Sequence, residues 1–323
     1  MKKIAVFTSG GDSPGMNANV RAVVRTALYY GMSVVGIRNG YEGMIDGDMY
    51  EMVSKDVSNI LQTGGTMLGT ARSERFMTLE GRDKAYANLQ KFGIEGIVAC
   101  GGNGTYTGAL VFMSEHPDIR IVGTPGTIDN DLWGTDYTIG YDTAVNTAMN
   151  AIDNIKDTAN SHGRVFFVEV MGRDAGFIAL RSAIATGAEA VLVPETFTDL
   201  NVLVNTLNTN YENKKRASIV IIAEGDDAGD AFEVVEQIKG RLLSKDIRVT
   251  VLGHIQRGGR PTMADRVLAS RLGLEAVRAL RDGKVGVAIG QISGDIAYTP
   301  FEEAIKHHQT IKESLLEMVD ILS

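Results

Sequence analysis

A single cysteine, Cys100, excludes an intramolecular disulfide framework, and its place at the end of an apolar run marks it as a buried, inert thiol with no catalytic role. No segment is apolar for long enough to span a bilayer. The start, Lys2 and Lys3 followed by the short run 4–8, has too little apolar length for a signal peptide. The expected setting is therefore cytoplasmic, with no membrane partner. Positive charge is in deficit too: 32 Lys and Arg against 40 Asp and Glu leave a net charge of −8, so no general cationic field exists to draw in nucleic acid. Phosphate recognition must then come from local arginines and backbone amides. No Pro/Ser-rich linker, tandem repeat or low-complexity tract divides the chain.

What the chain does have is size and apolar content. With 323 residues, 44% of them hydrophobic, it can bury a large core, and its length favours two domains over one. Short β-branched runs at 3–8, 33–37, 96–100 and 120–123 read as buried strands, with helical patterns between several of them. After Asp129 the rhythm resumes, with strands expected at 165–170, 190–193, 218–223, 248–252 and 285–289. Strands alternating with helices specify a parallel sheet covered on both faces. The expected class is α/β: two doubly wound three-layer α/β/α domains with mainly parallel sheets, joined between Asp131 and Tyr141. In the helix after the first strand, Val20, Val23, Val24, Ala27 and Leu28 share one face, while Arg21 and Arg25 sit one turn apart on an exposed one.

Glycine is abundant, at 37 residues, and it clusters directly after expected strands, at 9–12 (SGGD), 64–66 (GGT), 101–105 (GGNGT) and 123–126 (GTPG). Glycine there lets backbone amides approach a ligand, and the following helix N-terminus favours an anion. One such loop is often only a tight turn. Several at the carboxyl ends of parallel strands point to one phosphate-rich ligand at a topological switch point. No Gly-Lys-Ser/Thr occurs in these loops and Gly10-Gly11 lacks the third glycine of a dinucleotide fingerprint, so neither a Walker A loop nor a nicotinamide-dependent dehydrogenase fits.

Residues 125–131 (PGTIDND) set Asp129 and Asp131 two apart just past a strand, where extended geometry would let one meet substrate and the other a metal. Phosphoryl transfer needs such a pair: a base for the proton of the attacking hydroxyl, and Mg²⁺ with fixed cations for the charge on the transferring group. On the residues alone the pair could equally close an Asx turn, and Thr127 and Asn130 serve either purpose. Further on, 169–173 (EVMGR) ends a strand with an arginine, and 254–259 (HIQRGG) follows another with His254 and Arg257 three apart beside two glycines, an arrangement suited to an anion.

Residues 8–17 (TSGGDSPGMN), 125–131, 170–173 (VMGR) and 253–259 (GHIQRGG), in this order and spacing, closely resemble bacterial ATP-dependent 6-phosphofructokinases, and the resemblance covers nearly the whole chain. It implies an ATP-binding domain at 1–138 plus 251–300 and a fructose 6-phosphate-binding domain at 139–250 plus 301–323. It makes Asp129 the base for the sugar 1-hydroxyl, with Thr127 orienting that end and Asp131 assisting near the metal. Arg72 and Arg173 would stabilise the transferring phosphoryl group. Gly11, Arg72, Ser73, Gly102, Asn103, Gly104 and Thr105 would hold ATP. Thr127, Ile128, Asp129, Met171, Gly172, Arg173, Glu224, His254 and Arg257 would hold the sugar phosphate. Arg164 and Arg248 match positions that reach across a subunit interface to the 6-phosphate, which implies a homotetramer.

The phosphoryl donor follows from two glycines. Pyrophosphate-using members resemble one another in carrying Asp at the position of Gly104 and Lys at that of Gly126; both are glycine here, which leaves room for ATP. Asn103 and Asp131 are the implied Mg²⁺ positions, although most members have Asp where this chain has Asn103, which predicts weaker intrinsic metal binding. Phe177 also replaces a common Asp, as in branches of mixed donor use. Arg21, Arg25, Lys156, Glu189, Lys215 and Arg216 match an effector site for ADP or phosphoenolpyruvate, whereas Ser54 replaces an arginine of that site and Ala217 a histidine. A catalytically silent sugar-phosphate sensor would keep the fold but has no need of Asp129, Asp131, Arg72 and Arg173 together.

Overall fold

The computed structural model describes residues 1–215, 217–244, 246–306 and 308–323. They form two compact units, Met1–Thr143 with Arg257–Gln309, and Ala144–Gln256 with Thr310–Ser323. In chain order the strands are β1 (Lys3–Thr8), β2 (Ser33–Ile37), β3 (Met49–Met52), β4 (Gly96–Gly101), β5 (Arg120–Thr127), β6 (Ile139–Gly140), β7 (Val165–Val170), β8 (Ala190–Leu192), β9 (Ser218–Ala223), β10 (Ile247–Val251), β11 (Val287–Ile292) and β12 (Asp295–Pro300).

The first unit holds one sheet in the order β12-β11-β5-β4-β1-β2-β3, with β6 beside β5. Its middle is parallel, and the outermost pairs β11–β12 and β2–β3 are antiparallel. Alternate residues of each central strand feed two cores. Ile4, Val6, Val34, Val98, Cys100 and Val122 pack with Val20, Val23, Leu272 and Val277 from the helices Met16–Tyr29 and Met263–Arg281. Ala5, Phe7, Val35, Ile97 and Ile121 pack on the other face with Leu89, Tyr106, Phe112 and Phe301. Burial on both faces is why these strands read as continuous apolar runs.

Three strands lie outside the sequence expectation, β3, the two-residue β6 and β12, and each is short or at an edge. β3 (MYEM) pairs with β2 alone, so only one side of it is in a ladder and its middle is polar. β12 returns from β11 through Ser293 and Gly294, both with positive φ (50° and 91°), a two-residue hairpin whose twist matches its strands. β5 also runs four residues further than expected, to Thr127, through Pro125. Proline lacks the N–H for a ladder bond, but β11 pairs β5 only at Val122 and Gly123, and β6 takes over at Gly126.

The second unit has a wholly parallel sheet in the order β10-β7-β9-β8. Val165, Phe167, Val220 and Ile222 pack against Val204, Leu207, Val234 and Ile238 on one face, and the helix Phe177–Thr186 lies on the sheet with the helix Glu313–Leu322 packed onto it. The divisions fall at 143, 256 and 309 where 138, 250 and 300 were expected. The last differs because Phe301 and Ala304 are wholly buried in the first unit, Phe301 stacking on Tyr106 at 4.7 Å. No helix among the described residues is long and apolar enough to cross a membrane.

Where the chain leaves the first unit, Asp265 sits 1% exposed at the start of the helix Tyr141–His162. Its carboxylate accepts from the N–H groups of Gly140 and Thr143, both at 2.8 Å, and from the Thr143 hydroxyl. A negative group there faces otherwise unpaired amides and the positive end of the helix dipole. Burial nevertheless pushes the Asp265 carboxyl up to about 6, against the pull of the Thr143 and Gly140 hydrogen bonds.

Candidate active site

In the first sheet the chain runs from β1 toward β2 and β3, and from β4 the opposite way toward β5, so the order reverses between adjacent strands β1 and β4. Ligands of open parallel sheets bind beyond the carboxyl ends of strands at such a reversal. The loop after β1 and the loop after β4 both start there, tied by Ser9 N–H donating to the Cys100 carbonyl at 2.9 Å. Gly101 admits no side chain: a Cβ would stand 2.2 Å from Thr105 Oγ1 and 2.7 Å from the Ser9 carbonyl oxygen. The helix Asn103–Glu115 begins directly after Gly102, whose Cβ position is 3.8 Å from that of Thr127. Gly102 to Thr105 and Thr127 are thereby neighbours.

The 127–131 segment is a turn held from several sides. Thr127 Oγ1 accepts from the Asp129 N–H at 3.2 Å, and the Thr127 carbonyl accepts from the Thr138 hydroxyl at 2.7 Å. Asn130 adopts a left-handed φ of 55°, so the expected extended run is broken there; its side chain accepts from Thr138 N–H at 2.8 Å and donates to the Asp136 carbonyl at 3.2 Å. Asn130 is thus the residue that fixes this turn, while Ile128 is fully buried and Asp129 is 8% exposed. Asp131 accepts from Asn103 Nδ2 at 2.9 Å. A carboxylate only accepts, which fixes the orientation of the amide. Asn103 Oδ1 is then left buried without a hydrogen-bond partner among the described residues, as are Ser13 Oγ and Thr105 Oγ1. Three such groups, one in the loop after β1 and two in the first turn of the helix Asn103–Glu115, are the kind of exception that a bound ligand explains.

Arg257, three residues after His254 in sequence, lies across the loop after β1. Its Nη1 approaches the Asp12 carbonyl at 3.4 Å and stands 2.4 Å from where a Gly11 Cβ would be. Gly11 therefore accommodates a guanidinium. Arg72 is exposed. The Ser73 hydroxyl donates to Glu42 and accepts from Phe76 N–H at 3.1 Å, so it caps a short turn. The two glycines expected to select the donor differ: Gly104 faces open space, whereas a Cβ at Gly126 would meet Cys100 Sγ at 2.7 Å and Met16 Cε at 3.0 Å. Burial pushes the Cys100 thiol up to about 12, as an inert core cysteine requires.

In the second sheet the chain leaves β7 toward β8 and leaves β9 in the opposite direction toward β10, so the reversal lies between adjacent β7 and β9. Met171, Gly172 and Arg173 follow β7, and Glu224 follows β9. Arg173 has a left-handed φ of 53° and its N–H donates to Glu224 Oε1 at 2.7 Å. Gly172, at φ 148°, leaves no space for a Cβ, which would stand 2.2 Å from the Ala175 carbonyl. Met171 is buried, and its N–H donates to Gln256 at 3.3 Å, placing the His254 turn beside it. His254 and the Arg173 and Glu224 side chains are exposed.

Arg164 and Arg248 stand apart from this group. Both lie at the amino-terminal ends of β7 and β10, where Ile247 pairs with Val165. β7 has six residues, and at about 3.3 Å per residue its two ends are roughly 20 Å apart, too far for one small ligand. Arg164 Nε donates to Asp246 Oδ2 at 2.8 Å, and Arg248 Nη2 pairs with Asp246 Oδ1 at 2.8 Å.

Of the expected effector residues, Lys156 donates to the carbonyls of Thr186 at 2.5 Å and Gly187 at 3.1 Å, closing the end of the helix Phe177–Thr186. Glu189 is buried, accepts from Ile219 N–H and pairs with Lys215 at 3.1 Å. Arg21 and Arg25 lie on the helix Met16–Tyr29, where burial and then the charge of Arg25 lower the Arg21 pKa. Arg216 lies outside the described residues. Sequence reading missed Asp246, which joins the neighbouring Arg248 to Arg164 82 positions away, and Asp265, whose partners lie more than 120 positions away.

Residues 3–280 match the family model described as phosphofructokinase. The chain belongs to the phosphofructokinase family. It is 55% identical, over its whole length and that of the relative, to ATP-dependent 6-phosphofructokinase 1 of Thermus thermophilus. It is 54% identical to the ATP-dependent 6-phosphofructokinase of Cytophaga hutchinsonii over the whole of this chain and 98% of that one. Among solved structures it matches phosphofructokinase from Saccharomyces cerevisiae with a TM-score of 0.90 and 39% identity, over 95% of this chain and 45% of the yeast chain. The pyrophosphate-dependent phosphofructokinase of Marinobacter aquaeolei shares the fold, with a TM-score of 0.84 at 21% identity, over 97% of this chain and 86% of that one.

Proposed function

We propose that this chain catalyses the reaction its full-length relatives are named for: transfer of the γ-phosphoryl group of ATP to the 1-hydroxyl of fructose 6-phosphate, giving ADP and fructose 1,6-bisphosphate. Asp129 is the general base. It takes the proton of the 1-hydroxyl as that oxygen forms its bond to the γ-phosphorus and the bond to the β-phosphate oxygen breaks. Thr127 holds the Asp129 backbone and orients the same end of the sugar. Gly11 and Gly102 to Thr105 receive the nucleotide's phosphates, with Ser13 Oγ and Thr105 Oγ1 supplying unused donors, and Ser73 closes that segment. Arg72 and Arg173 offset charge on the transferring group, and Met171, Gly172, Glu224, His254 and Arg257 hold the sugar phosphate. Support comes chiefly from the turn at 127–131, which holds a buried carboxylate next to the loop after β4 at the sheet's reversal.

The donor set suits Mg²⁺. One carboxylate and one amide carbonyl, with no cluster of three or more His, Cys, Asp or Glu among the described residues, match an ion that keeps several waters and binds largely through substrate phosphates. Asp131 and Asn103 Oδ1 would hold it, and when bound with ATP it would screen the charge of the phosphates. Gly104 opens onto free space, which supports ATP over pyrophosphate.

Arg164 and Arg248 bind the 6-phosphate of a substrate held by a neighbouring subunit of a homotetramer, in keeping with their distance from Arg173 along β7. Lys156, Glu189 and Lys215, with Arg21, Arg25 and Arg216, form an effector site for ADP or phosphoenolpyruvate. The compartment is the cytoplasm. The test is Asp129→Ser in a coupled assay: kcat falls by several orders of magnitude with both KM values within a few-fold of wild type. A variant retaining a tenth or more of wild-type kcat would remove Asp129 from the chemistry.

A further inference from the structure

Asp246 ends the loop before β10, and its carboxylate is the shared partner of two arginines. Arg164 Nε donates to Oδ2, and Arg248 Nη2 meets Oδ1 in ion-pair rather than hydrogen-bond geometry. The backbone locks the same three residues: Val165 N–H donates to the Asp246 carbonyl at 3.1 Å, and Ile247 pairs with Val165 across the ladder. Arg164 spends its Nε edge on Asp246, so its terminal Nη1 and Nη2, the edge suited to bidentate phosphate binding, have no acceptor among the described residues. Arg248 anchors its Nη1 on the Ile247 carbonyl at 3.0 Å. Two guanidiniums on one carboxylate leave a net charge of +1 at a partly exposed place. Arg164's hydrogen bond, ahead of the surrounding positive charge, holds the Asp246 carboxyl below the usual carboxylate range, so it stays ionised at neutral pH.

We propose that Asp246 is a positioning residue for phosphate recognition: it holds Arg164 by its inner edge and Arg248 alongside, so that the outer edge of a preformed cationic pair meets the phosphate dianion of the sugar substrate. The proposal rests on the assignment of Arg164 and Arg248 to the 6-phosphate. Without the carboxylate, the two like charges repel and each long side chain regains rotamer freedom that phosphate must then restrict.

The experiment measures KM for fructose 6-phosphate, KM for ATP and kcat on full-length Asp246→Asn, Asp246→Glu, Arg164→Ala, Arg248→Ala and the Arg164→Ala/Asp246→Asn double variant, with thermal melts as a check of folding. Asp246→Asn keeps the shape and loses the charge; it raises KM for the sugar phosphate about 10-fold, the order seen when a partner orienting a ligand-binding group is removed. KM for ATP and kcat stay within about twofold. Asp246→Glu recovers most of the loss, and Asp246→Asn costs less in the Arg164→Ala background than in wild type, because part of its action runs through that arginine. The positioning role is overturned if the arginine variants raise KM while Asp246→Asn matches wild type or lowers it, or if the effects of Arg164→Ala and Asp246→Asn simply add. Arginine variants with wild-type KM would instead overturn the 6-phosphate assignment, and this inference with it. Should Asp246→Asn melt early, additivity in an Asp246→Glu/Arg164→Ala pair decides between the same outcomes.

Discussion

Replacing Asn103 by Asp should make the folded protein depend on a divalent cation. Asn103 Nδ2 donates to Asp131 Oδ2 at 2.9 Å, and losing a hydrogen bond to a charged group costs about 1.5–3 kcal/mol. The substitution also puts two carboxylates in contact. At an effective dielectric near 20, repulsion over about 3 Å amounts to roughly 5 kcal/mol. Both side chains are partly exposed, so proton uptake and solvent trim this to about 1–2 kcal/mol. The metal-free variant should therefore be less stable by about 3–5 kcal/mol, a fall in melting temperature on the order of 10 °C for a unit of this size. Mg²⁺ reverses the sign, because the second carboxylate becomes a ligand. The assay is a set of thermal melts across a Mg²⁺ titration without nucleotide, with calorimetric Mg²⁺ binding in the presence of ADP. The variant should regain most of the lost stability and bind Mg²⁺ about 10-fold tighter than wild type, as expected for one added charge on a metal that favours carboxylate. Equal melts and equal titrations for the two proteins would refute both the Asn103–Asp131 coupling and the assignment of this pair to the metal.

Two further perturbations probe the frame around the site. Gly11→Ala would set a methyl group 2.4 Å from Arg257 Nη1; the flexible arginine yields, so stability changes by less than about 0.5 kcal/mol while KM for fructose 6-phosphate rises about 10-fold. An unchanged KM would separate Arg257 from the substrate. Asp265, held up to about 6 by burial, binds its proton more tightly folded than unfolded. Its contribution is therefore full below pH 4 and is lost as pH rises through 6, about 3 kcal/mol over the window. In denaturant melts from pH 4 to 8 the stability of wild type minus Asp265→Asn should decline with rising pH, and a flat difference would show that Asp265 titrates normally.

Most of the central architecture was legible because its strands are buried on both faces and so read as apolar runs, as in β1, β4, β7 and β9. β3 and β12 escaped because an edge strand needs only one apolar face. β5 was read short because 123–126 (GTPG) read as a glycine loop after the strand, and only the neighbours β6 and β11 show why Pro125 is tolerated within it. The glycine loops were legible for a different reason: close backbone approach leaves no alternative residue at Gly101 or Gly172. Asp129 and Asp131 stood out by their spacing, but not the left-handed Asn130 that turns the chain between them. Asp246 and Asp265 were invisible, since a carboxylate shows its purpose only once folding brings its distant partners to it.

The central claim is the transfer of phosphate from ATP to the sugar, and the most direct measurement is the rate of fructose 1,6-bisphosphate formation by the purified chain with excess Mg²⁺, with ATP and with pyrophosphate as alternative donors. The account predicts turnover with ATP and none with pyrophosphate above the uncatalysed background. Turnover with pyrophosphate at a rate comparable to ATP would show that Gly104 and Gly126 do not select the donor, and no product with either would contradict the assignment of Asp129 as a working base.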